Sequence, residues 1–106
     1  MVVRVDNIFA GASAGMGKEN LLTLFESDAV KIERIVSQAH SSPPGFWYDQ
    51  AEEEWVMLVR GQATLEFAGG ELVKLKEGDY LAIPPYVKHR VQQTAPETVW
   101  LAVHVK

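Results

Sequence analysis

The stretch Ala63-Thr64-Leu65-Glu66-Phe67-Ala68-Gly69-Gly70-Glu71-Leu72-Val73-Lys74-Leu75-Lys76-Glu77-Gly78-Asp79-Tyr80-Leu81-Ala82-Ile83-Pro84-Pro85 decides the fold class. Ala63, Leu65 and Phe67 alternate with Thr64 and Glu66, which puts one apolar row on one face of a strand. Gly69-Gly70 then turns the chain, and Leu72 to Lys76 forms a second short strand. Glu77-Gly78-Asp79 makes the next turn, and Tyr80 to Ile83 is a third strand, closed by Pro84-Pro85. Punctuation this dense leaves no room for a helix.

Outward from there the same period continues. Upstream, Trp55 to Val59 is a strand closed by Gly61. Val30, Ile32, Arg34 and Val36 alternate with Lys31, Glu33, Ile35 and Ser37 until Ser41-Ser42-Pro43-Pro44-Gly45 ends the run. Downstream, His89 to Gln93 and Val99 to Val105 complete the series. Before Val30 the pattern is different. Val2 to Phe9 reads as a short strand. The glycines of Gly11 to Gly17 fit no phosphate-loop spacing, because Gly17-Lys18 is followed by Glu19, so this stretch is a linker. Lys18 to Glu26 carries Leu21, Leu22, Leu24 and Phe25 among helix formers and reads as a short helix, a strand being the alternative. Strands at short, regular intervals predict an all-β antiparallel sandwich or barrel. Residues 1–29 are expected to be an N-terminal extension with one short helix, and residues 30–106 the β domain.

Composition narrows the function classes. The 106 residues allow one domain, with 47% hydrophobic and 23% charged residues, an ordinary globular balance. Zero cysteines exclude a disulfide framework, a thiolate metal cluster and a cysteine nucleophile. A net charge of −4 and the lack of any basic stripe argue against a nucleic-acid partner. No apolar run is long enough to span a membrane, and Met1 to Asn7 lacks the layout of a signal peptide; a cytoplasmic protein is expected. Trp55, Met57 and Val59 oppose Val56 and Leu58, so both faces of that strand are apolar. A sheet buried on both sides needs a second covering surface, and a homodimer is expected.

Three histidines, His40, His89 and His104, are the candidate imidazoles. A lone histidine in a small domain is most often structural, but the setting of His89 is specific. Gly78, five residues, Pro84, one residue, Tyr86, two residues and His89 closely match the second motif of the cupin superfamily, G-x5-P-x-G-x2-H-x3-N. Tyr86 replaces its glycine and Gln93 its asparagine. The first motif, G-x5-H-x-H-x3-4-E-x6-G, keeps its end, since Glu54 is followed by six residues and Gly61. Its histidine pair is replaced by Tyr48 and Gln50, or by Trp47 and Asp49 with the longer gap. From Val30 to Val105 the chain thus resembles a small single-domain bacterial cupin with a degenerate first motif.

That resemblance implies a jelly-roll barrel and a cavity in which cupins hold a divalent metal through histidines and glutamate. On this reading Gln50, Glu54 and His89 are metal ligands, and an imidazole–carboxylate set suits iron, manganese, nickel or zinc. Tyr48 and His40 are the candidates for proton transfer. Trp47, Gln93 and His104 are assigned to ligand binding; strand parity puts His89 with Gln93, and His104 with Trp100 and Ala102. The implied function is a metal-dependent enzyme acting on a small polar molecule. The alternatives are a metal-free module binding a sugar or small acid, or a regulatory or structural dimer. Arg34, on the face of Val30, Ile32 and Val36, is expected to pair with an inward acid or to bind an anion.

Overall fold

Alternating apolar and polar residues form eight antiparallel strands among the described residues, 2–106, of the computed structural model. These are β1 (Glu19–Glu26), β2 (Val30–Ser37), β3 (Glu53–Arg60), β4 (Gln62–Phe67), β5 (Leu72–Lys76), β6 (Tyr80–Ile83), β7 (His89–Thr94) and β8 (Thr98–Val105). They build a five-stranded sheet in the order β1-β2-β8-β3-β6 and a three-stranded sheet in the order β5-β4-β7. Every strand from β2 onward was predicted from periodicity to within two residues at each end. The core lies between the sheets. Val56, Leu58, Trp100 and Ala102 of the larger sheet meet Ala63, Leu65 and Leu75 of the smaller one, all nearly or wholly buried. The sheets stay open at their edges, so the expected barrel is a two-sheet jelly-roll sandwich and not a closed cylinder.

Two N-terminal expectations are corrected. Lys18–Glu26 is not a helix, because Glu19 to Glu26 pairs with β2 in register from Glu19 opposite Ser37 to Glu26 opposite Lys31. An isolated helix of nine residues is marginal in water, whereas the open edge of β2 supplies a full ladder of partners. Val2 to Phe9 forms no strand. It belongs instead to an arm that Arg34 holds. The Arg34 guanidinium donates to the carbonyls of Ile8 (3.2 Å) and Ala10 (2.6 Å), and Arg60 lies 4.8 Å over the Phe9 ring. Arg34 therefore neither pairs with an inward acid nor faces the interior. The opposite row of β2, with Glu33 and Ile35, points between the sheets.

Gly61, where the first motif ends, joins β3 to β4 at a φ of +100°. A Cβ there would sit 2.8 Å from the Thr98 Cα, so only glycine lets β8 approach this corner. The register that follows places Glu54 opposite His104.

Candidate functional site

Strand parity carries four ionisable side chains into the space between the sheets. Glu54 shares the inward face of β3 with Val56 and Leu58, and His104 shares that of β8 with Trp100 and Ala102. Glu33 enters from β2. From the smaller sheet, β7 contributes His89, which is 6% exposed. The Glu54 carboxylate lies 3.6 Å from Nε2 of His89 through Oε1 and 3.6 Å from Nε2 of His104 through Oε2. His104 Nε2 also donates to Glu33 Oε1 at 2.8 Å, and the Lys31 ammonium lies 3.5 Å from Glu33 Oε2. The result is a continuous polar line from Lys31 through Glu33, His104 and Glu54 to His89.

Partners fix the tautomers. The Val87 carbonyl can only accept, so His89 Nδ1, 2.9 Å away, carries a proton and Nε2 is the nitrogen turned to Glu54. By the same logic the proton on His104 sits on Nε2, toward Glu33, while its buried Nδ1 has no partner. Burial opposes the charged form of His89, but contact with Glu54 and the Val87 carbonyl outweighs it and raises the pKa above its ordinary value. Tyr48 exchanges backbone hydrogen bonds with His89 and stacks on its ring at 5.4 Å. Burial first, then the carboxylates of Glu19, Glu54 and Glu33, push the Tyr48 phenol up to about 12, so it remains a protonated donor.

A cavity of about 300 Å³ opens against this line. Tyr48, Gln50, Glu54, His104, Glu33 and Trp100 form its polar and aromatic wall, and Val56, Leu65, Ile83 and Val91 its apolar floor. Glu19, Leu21, Lys31 and Ile35 complete the lining, and half-exposed Leu21 marks where it meets solvent. Trp100 is held in place by its indole N–H, which donates to Ser37 Oγ at 3.1 Å.

Of the residues singled out in the sequence, Tyr48, Gln50, Glu54 and His104 line the cavity, and His89 touches Glu54. The other three lie elsewhere. His40 stands outside the lining, with Nδ1 3.3 Å from the Gly17 carbonyl and Nε2 3.7 Å from Glu19. Trp47 is exposed beside Arg90, its ring 6.0 Å from the guanidinium. Gln93 does not share the face of His89. A bulge in β7 lets Thr64 oppose Gln93 while Leu65 opposes Val91, so Gln92 is extra and the alternation flips. Gln93 is exposed in an outer depression with Thr64 and Lys74. Sequence reasoning missed Glu33, Lys31 and Glu19. For Glu33 a signal existed: an acid on the same face of β2 as Ile35 and Ser37 is inward if that row, and not the Arg34 row, is buried.

A family model for the cupin domain matches residues 34–104. The chain belongs to the cupin superfamily. Among solved structures, this cupin is similar over 98% of its length to a Ralstonia eutropha JMP134 protein provisionally named a mannose-6-phosphate isomerase. The two are 42% identical with a TM-score of 0.91, and 99% of that chain is covered. It is also similar in fold to an uncharacterised Klebsiella pneumoniae protein with a double-stranded β-helix domain (14% identity, TM-score 0.80, 98% and 90% covered). A third match is an RmlC-like cupin from Methanocaldococcus jannaschii (19% identity, TM-score 0.73, 99% and 92% covered). No curated protein matches the sequence.

Cupins commonly hold a metal where Glu54 and His89 stand, so the donor set of this cupin can be tested. Two strong donors are present. The positions of the usual histidine pair carry a phenol and a neutral amide, and His104 Nε2 is engaged by Glu33. Among the described residues, no three or more histidine, aspartate or glutamate side chains gather to hold a metal ion. Glu54 and His89 are thus fewer strong donors than the three or four protein ligands a divalent cation usually takes.

Proposed function

We propose that this cupin holds a small polar molecule in its cavity without a resident metal and moves a proton on it. One observation carries the reading: a single carboxylate, Glu54 on the cavity wall, stands 3.6 Å from the Nε2 atoms of two imidazoles, His104 of the lining and His89 behind it. Carboxylate and imidazole side by side form an acid–base pair whose charge states exchange near neutral pH. Glu54 faces the cavity as the proton acceptor, and His89, behind it with a raised pKa, is the charge partner that holds the carboxylate in place. Tyr48, stacked on His89 and hydrogen-bonded to Glu19, presents its phenol oxygen to accept from a ligand hydroxyl. Isomerisation by proton transfer is the reaction class this set suits, in keeping with the isomerase name of the R. eutropha protein.

We further infer that two copies pair. The outer face of the larger sheet presents Trp55, Met57, Leu101 and Val103, all half-buried, with exposed Tyr80 against Trp55. A second copy is the covering surface such a face lacks.

The cavity reading is tested by saturation-transfer NMR with a panel of hexoses, hexitols and amino alcohols. At least one should contact the wild-type protein and lose contact in Val91→Trp, which fills the floor. Contact undiminished in the filled variant, or no contact from any member, contradicts the reading. Stoichiometric binding of added zinc or manganese, lost in His89→Ala, would replace it with the metal-dependent alternative.

A further inference from the structure

We infer that the cavity selects a compact polyol bearing an amine and excludes phosphorylated sugars; this rests on the cavity reading above. Three carboxylates, Glu19, Glu33 and Glu54, line the cavity, against one ammonium, Lys31. That ammonium is already matched, 3.5 Å from Glu33 Oε2, and the other oxygen of Glu33 takes the proton of His104. No cation of the lining is therefore left for an anionic ligand. The guanidiniums that lie nearest the interior are engaged elsewhere. Arg34 binds the carbonyls of the N-terminal arm, and Arg90 binds Glu66 at 2.9 Å and the Ser42 carbonyl at 2.7 Å.

A phosphate monoester carries nearly two negative charges at neutral pH and is ordinarily met by arginine forks or helix N-termini. The lining has no arginine, and the described residues contain no helix. An ammonium finds the reverse. Glu54 and Glu19 are acceptors; Glu19 meets the Tyr48 phenol and, at 3.7 Å, His40, neither of which neutralises it as a lysine or arginine would. The Gln50 amide and the acceptor lone pairs of the Tyr48 phenol oxygen serve the hydroxyls of the ligand.

Three hexitols of one carbon skeleton separate the charge states: glucamine, glucitol and glucitol 6-phosphate, titrated by calorimetry at neutral pH against the full chain. Glucamine should bind at least tenfold tighter than glucitol, and glucitol 6-phosphate weakest of all. In Glu54→Gln, checked for folding by circular dichroism, glucamine should fall toward the affinity of glucitol. Equal affinities, or the phosphate tightest, overturn the charge selection; if Val91→Trp still abolishes that binding, the cavity reading stands alone. Binding of none of the three overturns the selection, and binding that survives Val91→Trp overturns both.

Discussion

Tyr86 sits in the left-handed region at a φ of +63°, where the second cupin motif carries glycine. Its amide donates to the Gln50 carbonyl at 2.7 Å, so this turn ties a cavity residue to the approach of β7. A side chain in that conformation costs roughly 1–2 kcal/mol, and Tyr86, 70% exposed, recovers little by packing. Tyr86→Gly should therefore stabilise the fold by about 1 kcal/mol, partly offset by the greater freedom of an unfolded glycine. Thermal unfolding should show a rise of several degrees; an unchanged or lower midpoint would mean that the tyrosine makes compensating contacts. The same scale shows what was legible in the sequence. Glu54 and His89 were singled out because their spacing to Gly61 and Gly78 matches the cupin motifs, and the two side chains meet at 3.6 Å. Gln93 was misplaced because a bulge costs one residue and leaves no mark in composition. Glu33 was passed over because parity says which residues share a face, but not which face is inside.

The edge strand β1 shows why an element can be misread. Leu21, Leu22, Leu24 and Phe25 satisfy a short helical stripe nearly as well as a strand, and all four remain about half exposed after pairing with β2. Local pattern could not arbitrate; a neighbouring strand edge did. The later strands lacked that ambiguity, since their alternation is bounded by glycine and proline turns. On β3 the two-faced apolar pattern has a consequence for assembly. Val56 and Leu58 fill the core, while Trp55 and Met57 lie outward and half-buried. Size-exclusion chromatography with light scattering should give a dimer mass at micromolar concentration. The pair Met57→Lys with Tyr80→Glu should give a folded monomer. A monomeric wild type, or a dimer untouched by these charges, would place the interface elsewhere or remove it.

Across the whole molecule, the two sheets are held by an apolar core and joined at the cavity by one polar line. That line makes stability depend on pH. Because the folded-state pKa of His89 is raised above its ordinary value of 6.5, its imidazolium contributes stability that is fully present below that value. The contribution is lost as pH rises through the higher folded-state pKa. The measurement that tests the account most directly is an NMR titration of the imidazole resonances in the wild type and in Glu54→Gln. His89 should titrate above 6.5 in the wild type, with Nδ1 protonated throughout, and should fall when Glu54 loses its charge and leaves burial to dominate. A His89 that titrates at or below 6.5, and does not move in Glu54→Gln, would contradict the convergence of the two residues on which the site is built.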